Sequence, residues 1–96
     1  MEKKKSKIKK AVALSYKETD TAPRVTAMGK GVIAEKIIEA AKRHNVPVFY
    51  DEKLVDDLLK IEIGKQIPPE LYLVVAEVLS FISYIDKQKE NKNEGQ

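Results

Sequence analysis

Residues 24–50 read RVTAMGKGVIAEKIIEAAKRHNVPVFY, and the fold turns on where this stretch changes its period. Arg24-Val25-Thr26-Ala27-Met28 alternates polar and apolar side chains, the two-residue repeat of a strand. Gly29-Lys30-Gly31 interrupts it. From Val32 the repeat lengthens, and Ile33, Ile37, Ala40, Ala41 and His44 fall on one face of a helix. Lys42 and Arg43 put positive charge near the carbonyl end of that helix, and Asn45 supplies a cap residue that tolerates left-handed backbone. Val46-Pro47-Val48-Phe49-Tyr50 then reads as a further strand, with Pro47 near its start, where a missing N–H is tolerated. Strand, helix and strand at this spacing predict a βαβ unit with parallel strands and a right-handed crossover.

Upstream, Ala11 to Tyr16 is a short apolar run without helical period, a buried strand, and a polar connection closed by Pro23 follows it. Downstream, Leu54, Val55, Leu58 and Leu59 mark a short helix within residues 52–60. A turn around Ile63-Gly64-Lys65-Gln66-Ile67 leads to Pro68-Pro69-Glu70, where proline and glutamate suit the start of a helix. Leu71, Val74, Val75, Val78, Leu79, Ile82 and Ile85 line one face of that last helix. The expected fold is therefore α/β with α+β character. It is a small, mainly three-stranded sheet containing a parallel βαβ unit, packed by about three helices. Residues 1–10 form a basic arm, 11–86 the domain and 87–96 a polar, disordered tail.

Ninety-six residues with 43% hydrophobic content supply one core, and a charged fraction of 34% solvates the rest. The absence of cysteine excludes disulfides and thiolate chemistry, and a single histidine argues against a zinc site. No apolar run approaches the roughly 20 residues that span a bilayer, and the N-terminus lacks the apolar stretch of a signal peptide. A cytoplasmic protein is expected. The net charge of +3 collects in the first ten residues, where Lys3, Lys4, Lys5, Lys7, Lys9 and Lys10 face only Glu2.

No catalytic constellation emerges. Gly29-Lys30-Gly31 lacks the spacing of a phosphate-binding loop. His44 has no nucleophile motif around it. Asp51-Glu52 and Asp56-Asp57 do not match an oxygen-rich cation loop. Tyr50, Tyr72, Phe81 and Tyr84 are too scattered for a base-stacking platform. Catalytic, cofactor and metal residues are all expected to be absent, which leaves a binding module.

Four collinear segments carry a resemblance: AVALSY, RVTAMGKGVIAEKI, HNVPVFYDEKL and EIGKQIPPELYLVVAEVL. From Ala11 to Ile85 the chain resembles the cytoplasmic domain of the flagellar and type III secretion export-switch proteins, the FlhB/YscU family. The resemblance implies a small sheet surrounded by helices, and a non-enzymatic accessory part in protein export. Family members cleave themselves within an Asn-Pro-Thr-His motif ahead of the AVAL-like strand. Here Ser6, Lys7, Ile8 and Lys9 stand in its place, so self-cleavage is not expected. Matched by motif, Ala22, Pro23, Ala76 and Leu79 form the candidate substrate-recognition patch. The strand that precedes the cleavage turn in the family is missing, so Ala11, Val12, Ala13 and Leu14 are expected to present an edge for a partner strand. The implied partners are a membrane-anchored export-switch relative, the export gate and exported substrates, with the membrane reached only through them and no nucleic acid bound. The protein would be recruited to the cytoplasmic face of the membrane at the gate. A competing reading is a small nucleic-acid-binding protein using the lysine arm with Lys30, Lys36, Lys42 and Arg43.

Overall fold

The computed structural model describes residues 8–17 and 19–81. Two strands, β1 (Lys10–Ser15) and β2 (Arg24–Lys30), precede helices α1 (Val32–Arg43) and α2 (Glu52–Leu58). A single 3-10 turn, Pro69–Leu71, leads into a last helix, α3, helical over the described residues 72–81. The expected residues Ile82, Tyr84 and Ile85 and the tail 87–96 lie outside the described residues.

The α+β character holds, but the sheet differs from the expected one. Among the described residues it has two strands, paired antiparallel, with Ala11 opposite Gly29 and Ala13 opposite Ala27. The eight residues between them, 16–23, permit an antiparallel pair and are too few for a parallel crossover. Val46 to Tyr50 joins no ladder. A run becomes a strand only where a neighbour takes its N–H and C=O groups. Here the Val46 N–H is already spent on Ala41 O (2.8 Å), and Pro47 has none to give. The segment instead runs from the end of α1 to α2, with Phe49 edge-on to Phe81 of α3 at a ring separation of 6.1 Å. The parallel βαβ unit is thus not formed among the described residues.

Capping residues explain the helix ends. Asn45 takes φ +59°, and the Asn45 and Val46 N–H groups reach Lys42 O and Ala41 O, so the α1 end closes as its sequence predicts. Asp51, set aside above as a cation ligand, caps α2 by accepting from the Leu54 N–H at 3.1 Å. His44 sits exposed at the α1 end, its Nδ1 2.9 Å from Ala40 O.

The hairpin is covered on both faces. Ala22, Leu54, Leu58, Ile67 and Val75 are buried together, with Val12, Leu14, Val74, Val78 and Leu79 packed around them. Burying such side chains supplies the main favourable free energy of the fold, at roughly 25 cal/mol per Å² of apolar surface. The opposite face of the hairpin presents Ala11, Ala13, Ala27 and Gly29, all small, and α1 lies against both strands there. That face rotates α1 from its expected orientation. Ala34 is fully buried, whereas Ile33 is 57% exposed, its side chain resting over Gly29.

The turn at 62–67 has a structural task. Val25 N–H donates to Lys65 O (2.9 Å), Gly64 N–H to Val25 O (2.7 Å) and Ile67 N–H to Pro23 O (2.9 Å). Arg24 adds a guanidinium bond to Gly64 O at 2.7 Å. Gly64 holds φ +93°, a conformation costing an L-residue about 1–2 kcal/mol. The Ile-Gly-Lys-Gln-Ile run thereby clips the start of β2 and fixes where α3 begins.

Candidate docking surfaces

The register of the hairpin decides which backbone groups of β1 look outward. Gly31 N–H donates to Lys9 O at 2.8 Å, continuing the pairing of Lys10 with Lys30 by one step. Hydrogen-bonded pairs alternate along an antiparallel ladder, so Ala11 and Ala13 face β2 while Lys10 and Val12 turn their N–H and C=O away from it. Among the described residues no backbone group bonds to those outward positions. Between Ala13 and Leu14 the register shifts, leaving Thr26 as an extra residue whose hydroxyl donates to Ala13 O at 3.2 Å. The bulge twists the strand pair and ends the regular edge at Ala13. Of the four residues expected to form the edge, Val12 is the one the register turns outward. Leu14 lies past the bulge, its side chain packed on the core.

Lys10 anchors this edge to α2. Its Nζ stands 2.7 Å from the Asp56 carboxylate, and that hydrogen bond raises the Lys10 pKa and lowers that of Asp56. The contact is therefore present at neutral pH. It is lost when acid protonates Asp56 through its lowered pKa, or when base deprotonates Lys10 through its raised one.

Of the positions matched to the lost cleavage motif, Ser6 and Lys7 lie outside the described residues. Ile8 and Lys9 are exposed and lead directly into β1. Around them Ile8, Lys10, Lys30 and Glu52 line an open hollow.

The four patch residues do not share one surface. Ala22 is 2% exposed and sits in the core, Pro23 is buried beside it, and Leu79 is half-buried against the same cluster. Ala76 alone is exposed, on the outer face of α3. Sequence reasoning missed Leu73, which is 74% exposed one turn before Ala76. Its three-residue spacing from Ala76, off the inward stripe of Val75 and Val78, was the available signal.

No group of three or more His, Cys, Asp or Glu side chains suited to a metal occurs among the described residues. No helix among them is long and apolar enough to cross a membrane. Among the described residues, a two-stranded hairpin sandwiched between helices, with an outward strand edge, defines a small α+β domain.

Comparison with known proteins gives that class its family. Residues 8–82 match the FlhB HrpN YscU SpaS family, to which this chain belongs. YlqH of Bacillus subtilis is 46% identical over 91 residues, covering 94% of this chain and 98% of YlqH. The flagellar biosynthetic protein FlhB of Aquifex aeolicus is 41% identical over 80 residues, covering 81% of this chain but 23% of FlhB. The chain thus spans nearly all of YlqH and about a fifth to a quarter of the FlhB proteins it matches. Among solved structures, a variant EscU C-terminal domain superimposes with TM-score 0.74 at 30% identity, covering 78% of this chain and 93% of that one. The native SpaS C-terminal domain reaches TM-score 0.79 at 19% identity, with 85% and 97% covered, a likeness of fold alone. Family and fold support a role in flagellar or type III protein export.

Proposed function

We propose that this protein is a non-enzymatic accessory of the export apparatus. It docks through the outer edge of β1 to a membrane-anchored relative of its own family or to the neighbouring export gate, at the cytoplasmic face of the membrane. The observation that carries this reading is the outward-facing backbone at Lys10 and Val12 in a family member without Asn-Pro-Thr-His in its sequence. Without that motif the chain does not cleave itself. Its working part is then a binding surface, and an open strand edge is a template for one more strand.

Val12→Pro tests the docking. The Val12 N–H faces away from β2, so proline there removes a donor from the free edge while sparing the ladder within the hairpin. Binding to the detergent-solubilised full-length relative is expected to weaken by about tenfold or more, with the circular dichroism spectrum unchanged. Equal binding by the folded variant would refute the edge, and absence of binding by the unaltered protein would refute the partner.

Substrate recognition is assigned to Ala76 and Leu79 of α3, with Ala22 in the buried cluster on which Leu79 packs and Pro23 next to it in sequence. Ala76→Asp puts a charge on this surface without entering the core, and is expected to reduce export of early substrates in cells that depend on this protein. Unaltered export with a folded variant would remove the assignment.

A further inference from the structure

The strand β2 has an outer edge of its own, on the side of the hairpin away from β1. With Ala27 and Gly29 turned toward β1, Met28 and Lys30 direct their N–H and C=O groups outward. Among the described residues no backbone group bonds to them there. The 62–67 turn takes the same edge only at its start, through Val25, and leaves it at Gly64. From Met28 onward the edge is open.

Beside this edge, one layer up, stands an apolar flank of α1. At about 100° per residue, Ala34 and Ala41 mark the line along which the helix meets the hairpin. Ile33, Ile37 and Ala40 fall on one side of that line, and Glu35 and Lys42 on the other. Two contacts tell the sides apart. Glu35 reaches Lys9, the residue just ahead of β1, at 3.9 Å. Ile33 rests over Gly29 of β2. The charged flank therefore leans toward β1, and the apolar flank toward the open edge of β2. Ile33 is more than half exposed there, and Ile37 and Ala40 are half-buried. A partner that fits must bring a strand and, one layer above it, an apolar helix face.

A second copy of the chain brings both. We infer that two copies associate about a two-fold axis, β2 against β2 antiparallel with Met28 on the axis, to form one four-stranded sheet. That register sets Gly29 opposite Ala27, so the small-residue floor beneath α1 continues across both copies. It sets Lys30 opposite Thr26, and no lysine directly opposite another. Each strand ends at Lys30, one residue short of meeting the 62–67 turn of the other copy at Val25. Strand spacings of about 4.7–4.9 Å put the midlines of the two hairpins roughly 9–10 Å apart. The two α1 helices above them then stand within the roughly 8–10 Å at which helices pack. Ile33 lies one residue beyond the axis and Ile37, one helical turn back, about as far before it, so Ile33 of each copy meets Ile37 of the other. The docking edge at Lys10 and Val12 is on the opposite side of the hairpin and stays free.

Sedimentation equilibrium of the full chain tests the inference. A monomer–dimer equilibrium is expected with a Kd on the order of 100 μM, because so short an overlap falls below the roughly 1,200 Å² of stable interfaces. Ile33→Asp changes an exposed side chain, is expected to keep the fold by circular dichroism, and to weaken association by about tenfold or more. Val12→Pro is expected to leave association unchanged. The chain has no cysteine, so a single introduced one reads the register directly. Residues facing each other in a hydrogen-bonded antiparallel pair have Cα atoms about 5.5 Å apart, within the reach of a disulfide. Met28→Cys is therefore expected to cross-link two copies under mild oxidation, and Thr19→Cys, in the connection before β2, is not. A chain still monomeric at about 1 mM overturns the inference. So does a dimer that folded Ile33→Asp leaves intact, one that Val12→Pro abolishes, or one in which Met28→Cys cross-links no better than Thr19→Cys. None of these outcomes bears on docking to the export-switch relative, which is read by its own binding assay.

Discussion

Replacing Gly29 by valine is expected to lower the unfolding free energy by about 3 kcal/mol, at the upper end of what overpacking costs. Gly29 lies opposite Ala11 on the small-residue face of the hairpin, and α1 passes directly over it. A Cβ there would fall within the Ile33 side chain. Neither neighbour gives way cheaply. Ile33 belongs to the first turn of α1, and Gly29 is held by the ladder to β1. The larger side chain must therefore push the start of α1 off the sheet, drawing the fully buried Ala34 with it. Urea unfolding measures the effect as a lower midpoint with an unchanged slope. Adding Ile33→Ala is expected to return a good part of the lost stability, because it removes the group struck. That recovery separates overpacking from the general cost of placing a branched residue in β2.

The same close approach shows how far the sequence is legible. The change of period at Val32 marks α1 correctly, and Asn45 closes the helix as its tolerance of left-handed backbone predicts. What the period cannot reveal is rotation. Alanine and isoleucine both count as apolar in a helical repeat, so Ile33 reads as inward. On a sheet face built of Ala11, Ala13, Ala27 and Gly29, the small Ala34 fits the contact and Ile33 is displaced to its rim.

The missing third strand has a different cause. Val46 to Tyr50 has the β-branched and aromatic content of a strand, but a strand is a property of a pair, and one chain segment does not announce its neighbour. The same limit hid the clip between Arg24 and the 64–67 turn. The sequence shows that Gly64 sits in a turn but not that its carbonyl receives the guanidinium of Arg24, 40 residues away.

The candidate surfaces were legible in proportion to how local they are. The candidate edge of β1 lies in the apolar run from Ala11, and the hairpin register narrows it to Lys10 and Val12. The four patch residues rest on motif matching, which carries identity but not exposure. Ala22 lies in the buried cluster and Leu79 packs against it, while Ala76 faces solvent from the other side of α3.

Leu58→Ala is expected to have an effect as large, about 2–5 kcal/mol, the usual cost of truncating a buried leucine. Leu58 is 4% exposed at the end of α2, in one cluster with Ala22, Leu54, Ile67 and Val75 and with Val12 of β1 packed against it. It therefore joins three parts of the chain at once: the short helix, the hairpin and the segment leading to α3. The cavity is expected to collapse little, because the 62–67 turn is tied by three backbone hydrogen bonds, two to Val25 of β2 and one to Pro23 just before it, and cannot easily close over it. For a domain of this size, whose total stability lies in a range of about 5–15 kcal/mol, the loss would be a large fraction of the whole. Thermal unfolding followed by circular dichroism reads it as a drop in Tm. Leu58→Met keeps most of the volume and is expected to cost less than about 1.5 kcal/mol. If methionine were as damaging as alanine, the role of Leu58 would lie in its branched shape and not in the space it fills.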